Sequence, residues 1–339
     1  MEKEGADCCL ARGLWDNGDM FFTLSLADKA KFDALLSSFD KNVAKSRWLN
    51  ERMAHHDRSL LKEATCLQGG DYANDSYSLS VKPRGKKIGN WTLGYERYEP
   101  KEVFLSGGIE SLGKPYFMEK NPLGYFLEPF SYLSVEEDET TWMSVIPHEI
   151  NTMKEPLSHM KGRVVVMGLG LGYFAFHCLE KKEVTSLVVV EKDRRLISLF
   201  DEELKPFFPN TSKLTILAGD AYDEKIVGAA IRSADSVFYD LWHNEEDGLP
   251  LLRKAYQEAK KYPNADFSFW MEPSLLAYYR RVVIILLDAA LNYPSEKEDD
   301  DEIMSQTKKV LANQRFTNYE DIENLLSDEG LKDLLCRLG

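Results

Sequence analysis

Val164-Val-Val-Met-Gly-Leu-Gly-Leu-Gly172 is a short apolar run that ends in three alternate glycines, and a helical segment follows it through Glu180. Four bulky residues bounded by glycine read as a buried strand. Glycines permit a tight turn and close backbone approach. The N-terminus of the following helix offers unpaired N–H groups to a ligand. Strand, turn and helix in that order make Gly168, Gly170 and Gly172 a candidate ligand loop. Without a ligand, the same residues would form a tight β–α turn.

Apolar runs recur beyond this point, with helical segments between them. They are Leu187–Val190, Leu214–Leu217, Ser236–Tyr239 and Phe267–Trp270. Continuous apolar strands alternating with helices are the pattern of a parallel sheet covered on both faces, so the fold class is α/β. We place this domain at 151–292. Residues 1–150 read as a mixed α+β N-terminal region and 293–339 as a helical C-terminal extension. In the first region, spacing predicts helices over Leu26–Met53 and Arg58–Leu67, a break at Gly69-Gly70-Asp71, and a strand over Tyr77–Val81. A polar turn over Pro83–Asn90 leads to a return strand at Trp91–Tyr98. Phe104–Val135 fits no regular period. Glu136–Glu139 reads as a solvated turn, and Thr140 or Thr141 as the cap of a helix through Met153. After Trp270 we expect helices at Ser274–Leu291, at Glu302–Arg315, from a capping box at Thr317–Glu320, and at Leu331–Leu338.

Glu191 ends the second apolar run, about twenty residues past the glycines. An acid there can accept hydrogen bonds from both hydroxyls of a ribose. Its other role would be to cap the helix that begins near Asp193.

The elements Val166-Met-Gly-Leu-Gly-Leu-Gly172, Val190-Glu191 and Ala218-Gly-Asp220-Ala221 together resemble the class I S-adenosylmethionine-dependent methyltransferases. The resemblance covers about a third of the chain and implies a Rossmann-like methyltransferase sheet with S-adenosylmethionine as cofactor. It implies that the glycine loop approaches the methionine and ribose part, that Glu191 holds the ribose, and that Asp220 and the Ala221 N–H meet the adenine. A dinucleotide fingerprint would need a glycine at position 173, where this chain has Tyr173. This favours S-adenosylmethionine over NAD.

Asp240 ends the fourth run, in Phe238-Tyr-Asp-Leu-Trp-His243. Ends of parallel strands face the ligand crevice. Asp240 suits a general base for an attacking nitrogen, a fixed anion for a cationic acceptor, or a helix cap. Trp242 suits an aromatic wall for a cation or plain packing. His243 suits a proton shuttle or an exposed loop position.

A looser similarity is to the spermidine synthases, aminopropyltransferases on the same fold. It rests on an N-terminal β-rich region and on Thr141-Trp-Met-Ser-Val-Ile-Pro-His-Glu149, which lies where that family lines its substrate pocket. It implies that Trp142 and Glu149 border the acceptor and that Asp240 deprotonates an amine. The chain departs from that family in its glycine loop and in Leu241-Trp242-His243, where a second acid is expected.

The chain of 339 residues carries a formal net charge of -14, from 56 acidic and 42 basic residues. An acidic surface repels a phosphate backbone, so a nucleic-acid partner is not expected. The longest apolar run, Val282–Leu287, is too short to cross a bilayer, and no membrane association is expected. The acidic opening Met1–Asp7 has no apolar signal core. Together with the unpatterned cysteines Cys8, Cys9, Cys66, Cys178 and Cys336, it gives an expectation of a cytoplasmic protein with reduced thiols. His55-His56-Asp57 and the acidic run Glu298–Glu302 read as surface, so no metal is expected. The expected function is methyl transfer from S-adenosylmethionine to a small molecule. Aminopropyl transfer and a non-catalytic cofactor-binding protein are the alternatives, and a homo-oligomer stays open.

Overall fold

The computed structural model describes residues 64–111, 119–120, 122–138, 140–243, 245–292 and 302–338. The helix expected over Leu26–Met53, most of that over Arg58–Leu67, the His55-His56-Asp57 triplet, Cys8, Cys9 and most of the Glu298–Glu302 run lie outside the described residues.

Among the described residues the chain is a mixed α/β structure with eleven α-helices. It opens with β1 (Thr65–Cys66), α1 (Gly69–Ala73), α2 (Ser76–Ser80), β2 (Lys86–Ile88) and β3 (Trp91–Tyr98). Short strands β4 (Phe104–Leu105), β5 (Glu110–Ser111), β6 (Glu119–Lys120) and β7 (Leu123–Tyr125) follow, then β8 (Phe130–Glu137) and β9 (Thr140–Ser144). Strands β2-β3-β8-β9 form an antiparallel sheet in that order.

The second half runs α3 (Pro147–His159), β10 (Gly162–Met167), α4 (Tyr173–Glu180), β11 (Val184–Glu191), α5 (Arg194–Leu199) and β12 (Leu214–Ala218). It continues through α6 (Glu224–Ser233), β13 (Ser236–Tyr239), α7 (Glu245–Ala259) and β14 (Asp266–Phe269). The five strands pair in the order β12-β11-β10-β13-β14, all parallel. Val164 to Met167 on the central strand are buried, which is why the run is uniformly apolar. The chain winds from β10 to one edge, then crosses to the other side of β10. The loops after β10 and β13 therefore leave in opposite directions and open a crevice between them. Four helices close the chain: α8 (Glu272–Asn292), α9 (Glu302–Ala312), α10 (Tyr319–Leu326) and α11 (Asp328–Arg337).

Five local expectations are corrected. Tyr77–Val81 is not a strand. Ser76–Ser80 is helical because Asp75 caps it, accepting from Tyr77 N at 3.0 Å, and because one ring decides its face. Tyr77 is buried among Tyr173, Phe176 and Phe208, and its hydroxyl donates to Leu171 O at 2.7 Å. Neither Thr140 nor Thr141 caps a helix. Both belong to β9, and the helix starts at Pro147, whose fixed φ suits a first turn. Glu136 and Glu137 finish β8, which leaves the turn to Asp138 at φ 48°. Further on, the expected capping box closes one residue later, between Asn318 and Asp321, while Gly69 and Gly70 begin a helix rather than end one.

The antiparallel sheet is tied to the parallel one by polar contacts around α5. The Trp91 indole N–H donates to Asp193 at 3.1 Å, and Lys86 pairs with Glu202. One continuous apolar cluster runs from Tyr72 through both sheets to Leu338.

Candidate functional site

Backbone bonds just past the strands hold the loop ends together. Gly168 N donates to Val190 O at 2.9 Å, Asp240 N to Met167 O at 2.8 Å, and Gly219 N to Glu191 O at 2.8 Å. Register places Met167 beside both Val190 and Tyr239, and Glu191 beside Ala218. Gly168, Gly170, Glu191, Asp220, Ala221 and Asp240 consequently border one cleft of about 1930 Å³. A usual small-ligand pocket is roughly 300–1,000 Å³, so this one has room for two small molecules side by side.

The glycine loop needs its glycines for two reasons. Gly168, Gly170 and Gly172 all have positive φ, at 106°, 49° and 74°. Space is also lacking, since a Cβ on Gly168 would overlap the Asp240 carbonyl oxygen and one on Gly170 the Met143 sulfur. Gly172 lies behind the loop as the left-handed N-cap of α4, packed toward Phe208 and Phe200 rather than toward the cleft.

Glu191 spans the loop and the next turn. One carboxylate oxygen accepts from Leu169 N at 3.2 Å and the other from Asp193 N at 2.9 Å. Burial raises its pKa, and those two N–H donors act against the rise. The cap of α5 is Asp193, which leaves Glu191 to the cleft. Asp220 is exposed and accepts from Tyr222 N at 2.7 Å, fixing the turn that carries the buried Ala221. Lys254 sits 3.9 Å over the Tyr222 ring at this end of the cleft.

Asp240 caps no helix. Among the described residues no donor bonds its carboxylate, and burial followed by the charge of Glu191 pushes it up to about 7. Glu149, on the first turn of α3, faces the same space. Burial, then Asp240, pushes its carboxyl well above the usual glutamate range. Burial therefore favours the neutral form of Glu149, while Asp240 is poised to exchange a proton.

Trp142 from β9 is 38% exposed, and its ring stacks on His243. His243 lies on the surface of the loop after β13, where its N–H is capped by Asp247. Trp242 is 4% exposed and packs against Gly248 of α7, and it also borders the cleft. Sequence reasoning missed Met143, whose thioether accepts from Leu171 N at 3.1 Å, because no local pattern marks which strand edge will meet the loop. It also missed the acid wall contributed by β3. Glu96 there accepts from Tyr132 Oη at 3.0 Å and Ser134 Oγ at 3.1 Å, and Glu102 is 4% exposed nearby. In all, ten acidic residues line the cleft against three basic ones, and one of those three, Arg97, is already paired with Glu99. Among the described residues no group of three or more His, Cys, Asp or Glu is placed to hold a metal ion. No helix there is long and apolar enough to cross a membrane. A scan against protein-family models and a search of curated proteins find no match to the chain.

Proposed function

We propose that the chain is a transferase with a Rossmann-like methyltransferase sheet that uses S-adenosylmethionine to methylate a small amine. The observation that carries the reading is the convergence of the Gly168–Gly170 turn, Glu191, the Asp220–Ala221 turn and Asp240 on one cleft. The residues fit the cofactor. Gly168 and Gly170 leave the loop backbone bare at the cleft, so a ligand can approach it closely. Glu191 keeps acceptor capacity for ribose hydroxyls beyond its two backbone bonds. Ala221 and the Tyr222 turn offer a backbone edge and an aromatic face for adenine. When bound, the cofactor supplies a methyl group on a sulfonium, which departs as a neutral thioether without acid help.

What remains for the chain is to orient the acceptor, exclude water and receive a proton. Asp240, near 7, is matched to take the proton that a nitrogen loses on alkylation. The excess of acids over bases favours a cationic acceptor. Trp142 adds an aromatic face for it.

Aminopropyl transfer from a decarboxylated cofactor is the second reading. It is favoured by the acid-rich lining of the cleft, which disfavours a carboxylate on the cofactor. Isothermal titration with S-adenosylmethionine, S-adenosylhomocysteine and methylthioadenosine tests the cofactor. Incubation with an amine mixture and mass analysis then separates a methylated product from an aminopropylated one. Absence of binding by all three nucleosides would refute both readings.

A further inference from the structure

Two consecutive residues of β9 reach the two lips of the cleft. Trp142 stacks on His243, in the loop after β13, and Met143 places its sulfur on the glycine loop after β10. The Met143 contact has a defined geometry. Its sulfur accepts the Leu171 N–H at 3.1 Å and fills the space where a Gly170 side chain would stand. The glycine loop exists to let something approach its backbone closely, and in this structure that something is a thioether of the same chain. A sulfur is a weak acceptor for an N–H donor, so the contact is easily exchanged for a better one. Met has an unbranched, adaptable side chain that can withdraw without moving its strand.

We propose that Met143 is an internal competitor for the glycine loop: its thioether holds the place taken by the 5′ substituent of the bound nucleoside, and binding displaces it. This rests on the assignment of the loop to a sulfur-bearing nucleoside. Met143 thereby sets the affinity of the site. The loop is kept covered in the empty protein, and every ligand must first give back the sulfur contact.

The test uses the full chain and its Met143→Ala and Met143→Leu variants, titrated calorimetrically with methylthioadenosine, with thermal melts to establish that each is folded. The proposal expects Met143→Ala to bind about tenfold more tightly than the unaltered chain. Leucine keeps the bulk but loses the acceptor, so Met143→Leu should fall between them. Equal affinity in all three proteins, or weaker binding by Met143→Ala, overturns the proposal, because Met143 would then be a wall of the filled site. Absence of binding of methylthioadenosine, S-adenosylmethionine and S-adenosylhomocysteine by every variant overturns the nucleoside assignment as well, so the two failures are distinguishable.

Discussion

The Trp142 indole and the His243 imidazole lie 5.6 Å apart, centroid to centroid, and 7° from parallel. One ring belongs to the antiparallel sheet and the other to a loop of the parallel sheet, so the stack spans the cleft mouth. Trp142→Ala is expected to raise the KM for an amine acceptor about tenfold, equivalent to about 1.4 kcal/mol, while leaving nucleoside affinity within about twofold. Steady-state kinetics beside nucleoside titration checks this. A loss of nucleoside affinity equal to the rise in KM would count against an acceptor-side role.

Asp240 gives a stability signature of opposite sign to its catalytic one. Its folded pKa of about 7 lies above the ordinary aspartate value near 3.9. The carboxyl therefore favours the fold only while protonated. That contribution is complete below about pH 4 and is lost as pH rises to about 7. Asp240→Asn should stabilise the protein at pH 8 by on the order of 2–4 kcal/mol, have little effect at pH 4, and reduce turnover at least about a hundredfold. Urea melts at several pH values measure the first part. A constant gap between variant and parent across pH would sink it.

His148 titrates with the other slope. Its Nδ1 lies 3.0 Å from the Gly107 carbonyl, which can only accept, so that nitrogen carries the proton of a neutral ring. Burial lowers its pKa to about 4, against about 6.5 unfolded. The stability that follows from keeping it neutral is present above about pH 6.5 and drains away as pH falls toward 4, by up to about 3 kcal/mol. His148→Gln should flatten that slope in melts between pH 7.5 and 4.5, and an unchanged slope would assign acid sensitivity elsewhere.

Gly168→Ala is expected to cost more than about 3 kcal/mol or to prevent folding, since a Cβ at φ 106° meets the Asp240 carbonyl. Gly94→Ala on β3 is the control. Nothing lies within 4 Å of its Cβ, so alanine there should be neutral or slightly stabilising. Denaturation midpoints of the two variants decide the matter. Similar values would mean that the loop relaxes freely.

The parallel sheet was legible because a strand buried on both faces must be apolar throughout, and the runs beginning at Val164, Leu187, Leu214 and Ser236 each became a strand. Strand order and register then brought Gly168, Glu191, Asp220 and Asp240 together, as their positions at strand ends implied. The N-terminal half was harder to read. Tyr77-Ser-Leu-Ser-Val81 alternates like a strand, yet the contacts of Tyr77 with Tyr173 and Phe176, a hundred residues away, decide that it is a helical turn. Met143 and Glu96 join the cleft only because one sheet docks against the other, and nothing within a few residues of either encodes that docking.

The acid wall has a kinetic meaning as well. The excess of acidic over basic residues at one opening produces a field that reaches beyond the mouth and gathers positive ions from solution, more weakly as salt shortens its range. On the proposed reaction, the sulfonium loses its charge when its substituent departs. The same field that draws the reactant inward then loosens its grip on the spent nucleoside, which favours release of the product.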